Sequence, residues 1–138
     1  MRLAGAATLI AALAALAAGC GDKQYGATEF IDAVNAQGAD LALGDQISST
    51  EAGEPILAIN FAAAAGSDPN PQLHAGQGSG SLIVAADTDS ATAEFDRCDQ
   101  SADLTCFRAA NIVLEFEGMG AADRARVSGA VSALASEG

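Results

Sequence analysis

The first nineteen residues constrain the fold most, because they have the composition of a segment that is removed before the protein matures. Arg2 is the only charged residue before Asp22, and the run from Leu3 to Ala18 is uncharged and rich in Ala and Leu. Small residues at positions 17–19 stand directly before Cys20. A basic start, an apolar middle and a small-residue end are typical of a secretory signal. The remaining 119 of the 138 residues must then fold in an oxidising compartment.

A cysteine directly after such a segment has a more specific meaning. Residues 16–20, Leu-Ala-Ala-Gly-Cys, resemble the lipobox of bacterial lipoproteins, with Ala17 where that family most often has Leu. The resemblance implies that the Cys20 thiol receives a diacylglyceryl group, that the signal is cut off, and that Cys20 becomes the N-terminus. The alternatives are an ordinary secretory signal and an uncleaved membrane helix, for which this run is short of the about 20 apolar residues needed.

The predicted organisation has three parts: a lipoprotein signal peptide at 1–19, a lipidated N-terminus and tether at 20–27, and a single domain at 28–138. The tether residues 21–27 reach at most about 24 Å, at about 3.4 Å per residue. We therefore expect a domain anchored to the cell membrane by lipid, on the extracytoplasmic face. Arg2 favours the cytoplasmic side, so an uncleaved helix would leave the domain on the same outer face.

Charge limits the partners. The formal net charge of −12 for the whole chain becomes −13 once Arg2 leaves with the signal. No nucleic-acid partner is expected, because neutralising phosphates supplies most of that affinity. An acidic domain is also a poor fit for docking flat on an anionic bilayer. Solubility explains the charge, and the alternative is attraction of cations or of a basic partner.

Two cysteines remain after Cys20 is assigned to lipid. Cys98 and Cys106 are predicted to form a disulfide, because paired cysteines of exported chains usually join. The short loop suggests a stabilisation of about 2.5 kcal/mol. The alternative is a metal or redox pair, but seven residues between the cysteines match neither a CxxC motif nor a zinc pattern, and the single histidine, His74, is distant in sequence.

Periodicity predicts alternating helices and strands. Thr28 is the expected N-cap of the first helix and Gly38 its C-terminal stop, while Asp89 or Ser90 is expected to cap the second. Residues 62–80 are rich in Gly and Pro and are predicted to be an irregular, disordered loop. The predicted helices cover about 28–37, 89–98 and 121–136, and the predicted strands cover about 40–47, 56–63, 79–87 and 104–117.

These elements predict an α+β fold: a two-layer sandwich with a largely antiparallel sheet of about four strands and three helices on one face. Strands with one apolar and one mixed face favour this arrangement. In layout and in its Ala-rich style, the mature chain resembles the small exported lipoproteins of high-GC bacteria. That resemblance implies no particular activity.

Few residues of the chain suggest a catalytic, metal or ligand site. His74 lies in the Gly/Pro-rich loop, a poor place to hold catalytic geometry, so no catalytic residue is predicted. Asp87-Thr88-Asp89 begins like a calcium loop, but Ala91 and Thr92 break the pattern, and no metal site is predicted. If the open sheet face forms a ligand site, we expect four residues to contribute: Asn60, Asn111, Glu115 and Glu117.

The functional expectation is a non-enzymatic lipoprotein domain, without a cofactor, that binds a protein or small-molecule ligand outside the membrane. The alternative is a cation-binding or sensor domain that uses the acidic surface. An exported hydrolase is the third hypothesis, and it would require a positioned nucleophile or a metal.

Overall fold

A computed structural model describes residues 23–62 and 79–136. The predicted signal, Cys20, His74 and most of the predicted 62–80 loop lie outside the described residues. The described elements are α1 (Ala27–Ala36), β1 (Leu41–Ser49), β2 (Pro55–Phe61), β3 (Gly80–Val84), α2 (Thr88–Asp99), β4 (Leu104–Ala109), β5 (Ile112–Glu117) and α3 (Ala121–Ser136).

The strands form one sheet in the order β1-β2-β3-β5-β4, and every neighbouring pair is antiparallel. The predicted α+β class with an antiparallel sheet is confirmed. The sheet has five strands, because the predicted strand at 104–117 is a hairpin that turns at Ala110–Asn111. The core-facing residues are at odd positions before the turn, Phe107 and Ala109, and at even positions after it, beginning with Ile112. This change of parity is the sign of the turn in the sequence.

Helices α1 and α3 cover the first face of the sheet and enclose the main core. Its largest fully buried side chains include Phe30 of α1, Phe116 of β5 and Val127 of α3. Phe116 stacks on Phe61 with ring centroids 5.8 Å apart. On α3, the buried stripe consists of Val127, Val131 and Leu134, with Ala130 beside it.

Helix α2 lies on the second face, so the three helices do not all share one side. A separate apolar cluster forms there, in which Ala91 of α2 packs with Ile83 and Val113. These two strand residues alternate with Leu82 and Leu114, which face the main core. The predicted disulfide between Cys98 and Cys106 is present, with Cα atoms 6.1 Å apart, and it joins the C-terminal end of α2 to β4.

The helix ends differ partly from the prediction. Helix α1 begins after Gly26 rather than Thr28, and Gly38 follows its end with a positive φ of 92° as expected. Helix α2 is capped by Asp87, whose carboxylate accepts from the Ser90 N–H at 2.8 Å, rather than by Asp89 or Ser90. None of the described helices is long and apolar enough to cross a membrane.

Candidate functional site

The part of the second face that α2 leaves uncovered contains a shallow depression of about 290 Å³. We call it the Glu115 depression. It is open to solvent and combines two carboxylates, two hydroxyl groups and an apolar rim. The residues lining it are Ile47, Ser79, Gly80, Ser81, Leu104, Glu115 and Glu117.

The pairing register of the strands brings the lining residues of the depression together. Ser81 of β3 stands opposite Glu115 of β5, and Leu104 of β4 stands opposite Glu117. Ser81, Glu115 and Glu117 share the parity of Ile83 and Val113, which places them on the second face. Ile47 of β1 reaches the rim and is 61% exposed, unusual for a large apolar side chain.

Glu115 is the half-buried carboxylate of the depression. Burial raises its pKa above the ordinary value of 4.5, since removing water from a carboxylate disfavours the charged form. A hydrogen bond from the Ser81 hydroxyl, at 3.4 Å, acts in the opposite direction. The charge of Glu94 adds to the increase, and the charge of Arg97 reduces it. Glu117, two residues further along β5 and on the same face, is exposed.

Asn60 lies on the second face by parity, opposite Ala42 of β1, but does not line the depression. Two of the four expected ligand residues, Glu115 and Glu117, therefore lie together in it. Sequence reasoning missed Ser81 and Leu104, whose partners lie 34 and 13 positions further along the chain. The parity of Ser81 with Ile83 was the available signal, but it does not identify the pairing strand.

Asn111 does not contribute to an open face, contrary to the expectation. It lies in the β4–β5 turn and is only 3% exposed. Its Oδ1 accepts from the Tyr25 N–H at 2.7 Å, and its Nδ2 donates to the carbonyls of Tyr25 at 3.0 Å and Ala85 at 3.2 Å. The strand prediction that gave Asn111 an outward parity ran through this turn, which is why the assignment was wrong.

The depression suits binding of a polar or cationic group. Its carboxylates and hydroxyls supply hydrogen-bond acceptors, and Ile47 and Leu104 supply apolar contact. Within residues 23–62 and 79–136, no three His, Cys, Asp or Glu side chains are grouped so as to hold a metal ion. Both cysteines of this part of the chain are in the disulfide.

Comparison with known protein families, with curated proteins and with solved structures found no match to this chain.

Proposed function

We propose that the protein is a bacterial lipoprotein, anchored by acylated Cys20 to the extracytoplasmic face of the cell membrane, whose domain binds a ligand and catalyses no reaction. The observation that carries the proposal is the Leu-Ala-Ala-Gly-Cys segment at 16–20, which follows an apolar run with one basic residue before it. Two acyl chains hold a protein stably at a bilayer, whereas one gives only marginal binding.

The disulfide supports this address independently of the signal. Cys98 and Cys106 are joined across α2 and β4, and such bonds form and persist in oxidising compartments outside the cytoplasm. The high negative charge also favours a domain that stays soluble beside the membrane.

The Glu115 depression is the proposed ligand site of this domain. A polar group with a positive charge would offset the burial of Glu115 and would hydrogen-bond to Ser81. An enzymatic role is less well supported, because neither a thiol nor an imidazole lies beside these carboxylates within the described residues. The ligand is therefore expected to be a protein segment or a small molecule with a cationic group.

The anchor is tested by replacing its cysteine. We expect the wild-type chain to incorporate a labelled palmitate analogue, to fractionate with membranes and to begin at modified Cys20 by mass spectrometry. Cys20→Ala should lose the label and leave the membrane fraction. The double variant Cys98→Ala, Cys106→Ala is the matched control and should keep the label. An unmodified cytosolic wild-type chain that begins at Met1 would refute the proposal.

Cation binding is the second candidate function, favoured by Glu115 and Glu117 sharing one depression. It has less support, since Ca²⁺ takes six to eight oxygen ligands and the depression offers two carboxylates. A rise in melting temperature that is specific to calcium would separate this candidate from the first.

A further inference from the structure

The point at which the chain enters the domain is held by side-chain hydrogen bonds and ring contacts. The backbone N–H and C=O of Tyr25 both bond to the side chain of Asn111, at 2.7 and 3.0 Å. The Tyr25 ring packs edge-on against Phe30 with centroids 5.5 Å apart, and the Lys23 ammonium lies 4.4 Å from the Tyr25 ring centroid. Tyr25 is 7% exposed. The folded domain thus begins at Tyr25, and we call the Tyr25–Asn111 contact the clamp.

The clamp lies at one end of the sheet. The Ala85 N–H, just after β3, donates to the Asn111 carbonyl at 2.9 Å. The next N–H, of Ala86, donates to the carboxylate of Glu54 in the β1–β2 turn. The β1–β2 turn, the β4–β5 turn and the start of the domain therefore share this end, the clamp end.

The Glu115 depression lies toward the opposite end. Gly80 stands beside Phe116, and Leu104 stands beside Glu117, at the far ends of β3, β4 and β5. The loop to α3 begins there, and the Arg124 side chain donates to the Thr105 hydroxyl at 3.4 Å. Strand β5 joins the two ends and has six residues, a span of about 17 Å.

The lipid is attached close to the clamp end. Tyr25 is five positions after Cys20, so the two Cα atoms lie at most about 18 Å apart. Resting on the proposed acylation of Cys20, we propose that the clamp orients the domain, with its clamp end at the lipid surface and the Glu115 depression directed away from the bilayer.

Charge acts on the part of the domain that the tether leaves free. Lys23 is the basic residue nearest to Cys20, and the mature chain is otherwise strongly acidic. Repulsion from anionic headgroups falls off over a Debye length of about 8 Å at physiological salt. The tether, and not charge, decides which end lies nearest the bilayer, because the clamp end itself carries Glu51, Glu54 and Asp87. The proposed ligand therefore approaches the depression from the aqueous side.

Lipid-quencher fluorescence on the full, acylated chain in vesicles with anionic lipid tests this orientation. One label is placed at Ala52→Cys, in the β1–β2 turn at the clamp end, and the other at Gly120→Cys, before α3 at the far end. Both positions are exposed, and a Cβ at Gly120 meets nothing within 4 Å. Because the ends are about 17 Å apart, we expect headgroup quenchers to act about twofold or more strongly at residue 52.

A longer tether is the control. Inserting about twelve Gly and Ser residues between Asp22 and Lys23 leaves the clamp intact and adds a flexible chain of about 20 Å root-mean-square length. We expect the two labels of this variant to be quenched nearly equally. Equal quenching of the two labels in the original chain, or a difference that survives the insertion, would overturn the orientation alone. A wild-type chain that carries no acyl group, or does not float with vesicles, would overturn the lipoprotein proposal as well.

Discussion

Asn111 shows how one side chain can join three segments of a small domain. It is buried in the β4–β5 turn, and all of its hydrogen bonds in that position go to backbone groups of Tyr25 and Ala85. A buried backbone group that loses its partner retains the full cost of having left water. The residue therefore stabilises the start of the domain and the end of β3 together.

Replacing Asn111 tests that role. We expect Asn111→Ala to lower the free energy of unfolding by about 2–4 kcal/mol, because it leaves several buried backbone groups unpaired. Asn60→Ala, a matched change on the partly exposed second face, should stay within about 0.5 kcal/mol of wild type. Urea denaturation measures both. Equal effects of the two changes would contradict the assignment of Asn111.

Glu115 predicts a pH dependence of stability. Its folded pKa is raised, chiefly by burial, so the unfolded chain loses this proton first as pH rises. The contribution of Glu115 to the free energy of unfolding therefore falls as pH rises from 4.5 to the folded pKa. At higher pH this loss of stability stays constant.

Glu115→Gln removes this titration. Relative to wild type, we expect the variant to gain stability as pH increases from about 3 to 7, since the cost of ionising a half-buried carboxylate is absent. Chemical denaturation across that range measures the difference. Glu117→Gln, which removes the same charge from an exposed position, is the control for general charge effects. A difference from wild type that does not change with pH would show that burial of Glu115 has no such effect.

At the scale of elements, the close contact of β3 and β5 depends on a residue without a side chain. A Cβ at Gly80 would collide with the carbonyl oxygen of Glu115 and would lie 2.7 Å from the Phe116 ring. Gly80 is also where β3 pairs with both β2 and β5. Relief of the collision requires β3 and β5 to separate.

Alanine substitutions at two glycines compare this crowded position with one where a Cβ has free space. We expect Gly80→Ala to destabilise the protein by about 1–3 kcal/mol through overpacking. Gly129→Ala, on the exposed face of α3 where a Cβ meets nothing within 4 Å, should stabilise it by about 0.5–1 kcal/mol, because alanine favours helix. Thermal and urea unfolding measure both. A neutral Gly80→Ala would mean that β3 and β5 are not in close contact at this position.

Elements also show where prediction from sequence succeeded. The alternation in 104–117 predicts strand structure, which is confirmed, but it predicts one continuous strand where the change of parity between Ala109 and Ile112 marks a turn. Asn111 was placed on the wrong surface for that reason. For Glu115 and Glu117 the parity within β5 was sufficient, and both lie where it predicted.

For the whole molecule, the large negative net charge is the main electrostatic feature. The 138-residue chain carries a formal net charge of −12 at pH 7. Self-repulsion of this size opposes the compact state, and salt screens it.

We expect the melting temperature of the purified protein to rise as sodium chloride is increased from about 0.01 to 0.5 M, because the Debye length falls from about 30 Å to under 8 Å. Calcium chloride at equal ionic strength separates screening from binding. An additional rise with calcium would support the cation-binding candidate. A melting temperature that does not change with sodium chloride would contradict the self-repulsion.

Local composition and spacing along the chain are enough to predict a signal-like start, the acidic balance, two cysteines able to pair, and alternation typical of an α+β domain. Tertiary structure decided which face α2 covers, why Asn111 is buried, and that Ser81 lies beside Glu115. Those outcomes depend on register between strands far apart along the chain. A side chain's own neighbours set its parity, but only the folded sheet determines which distant residue stands opposite it.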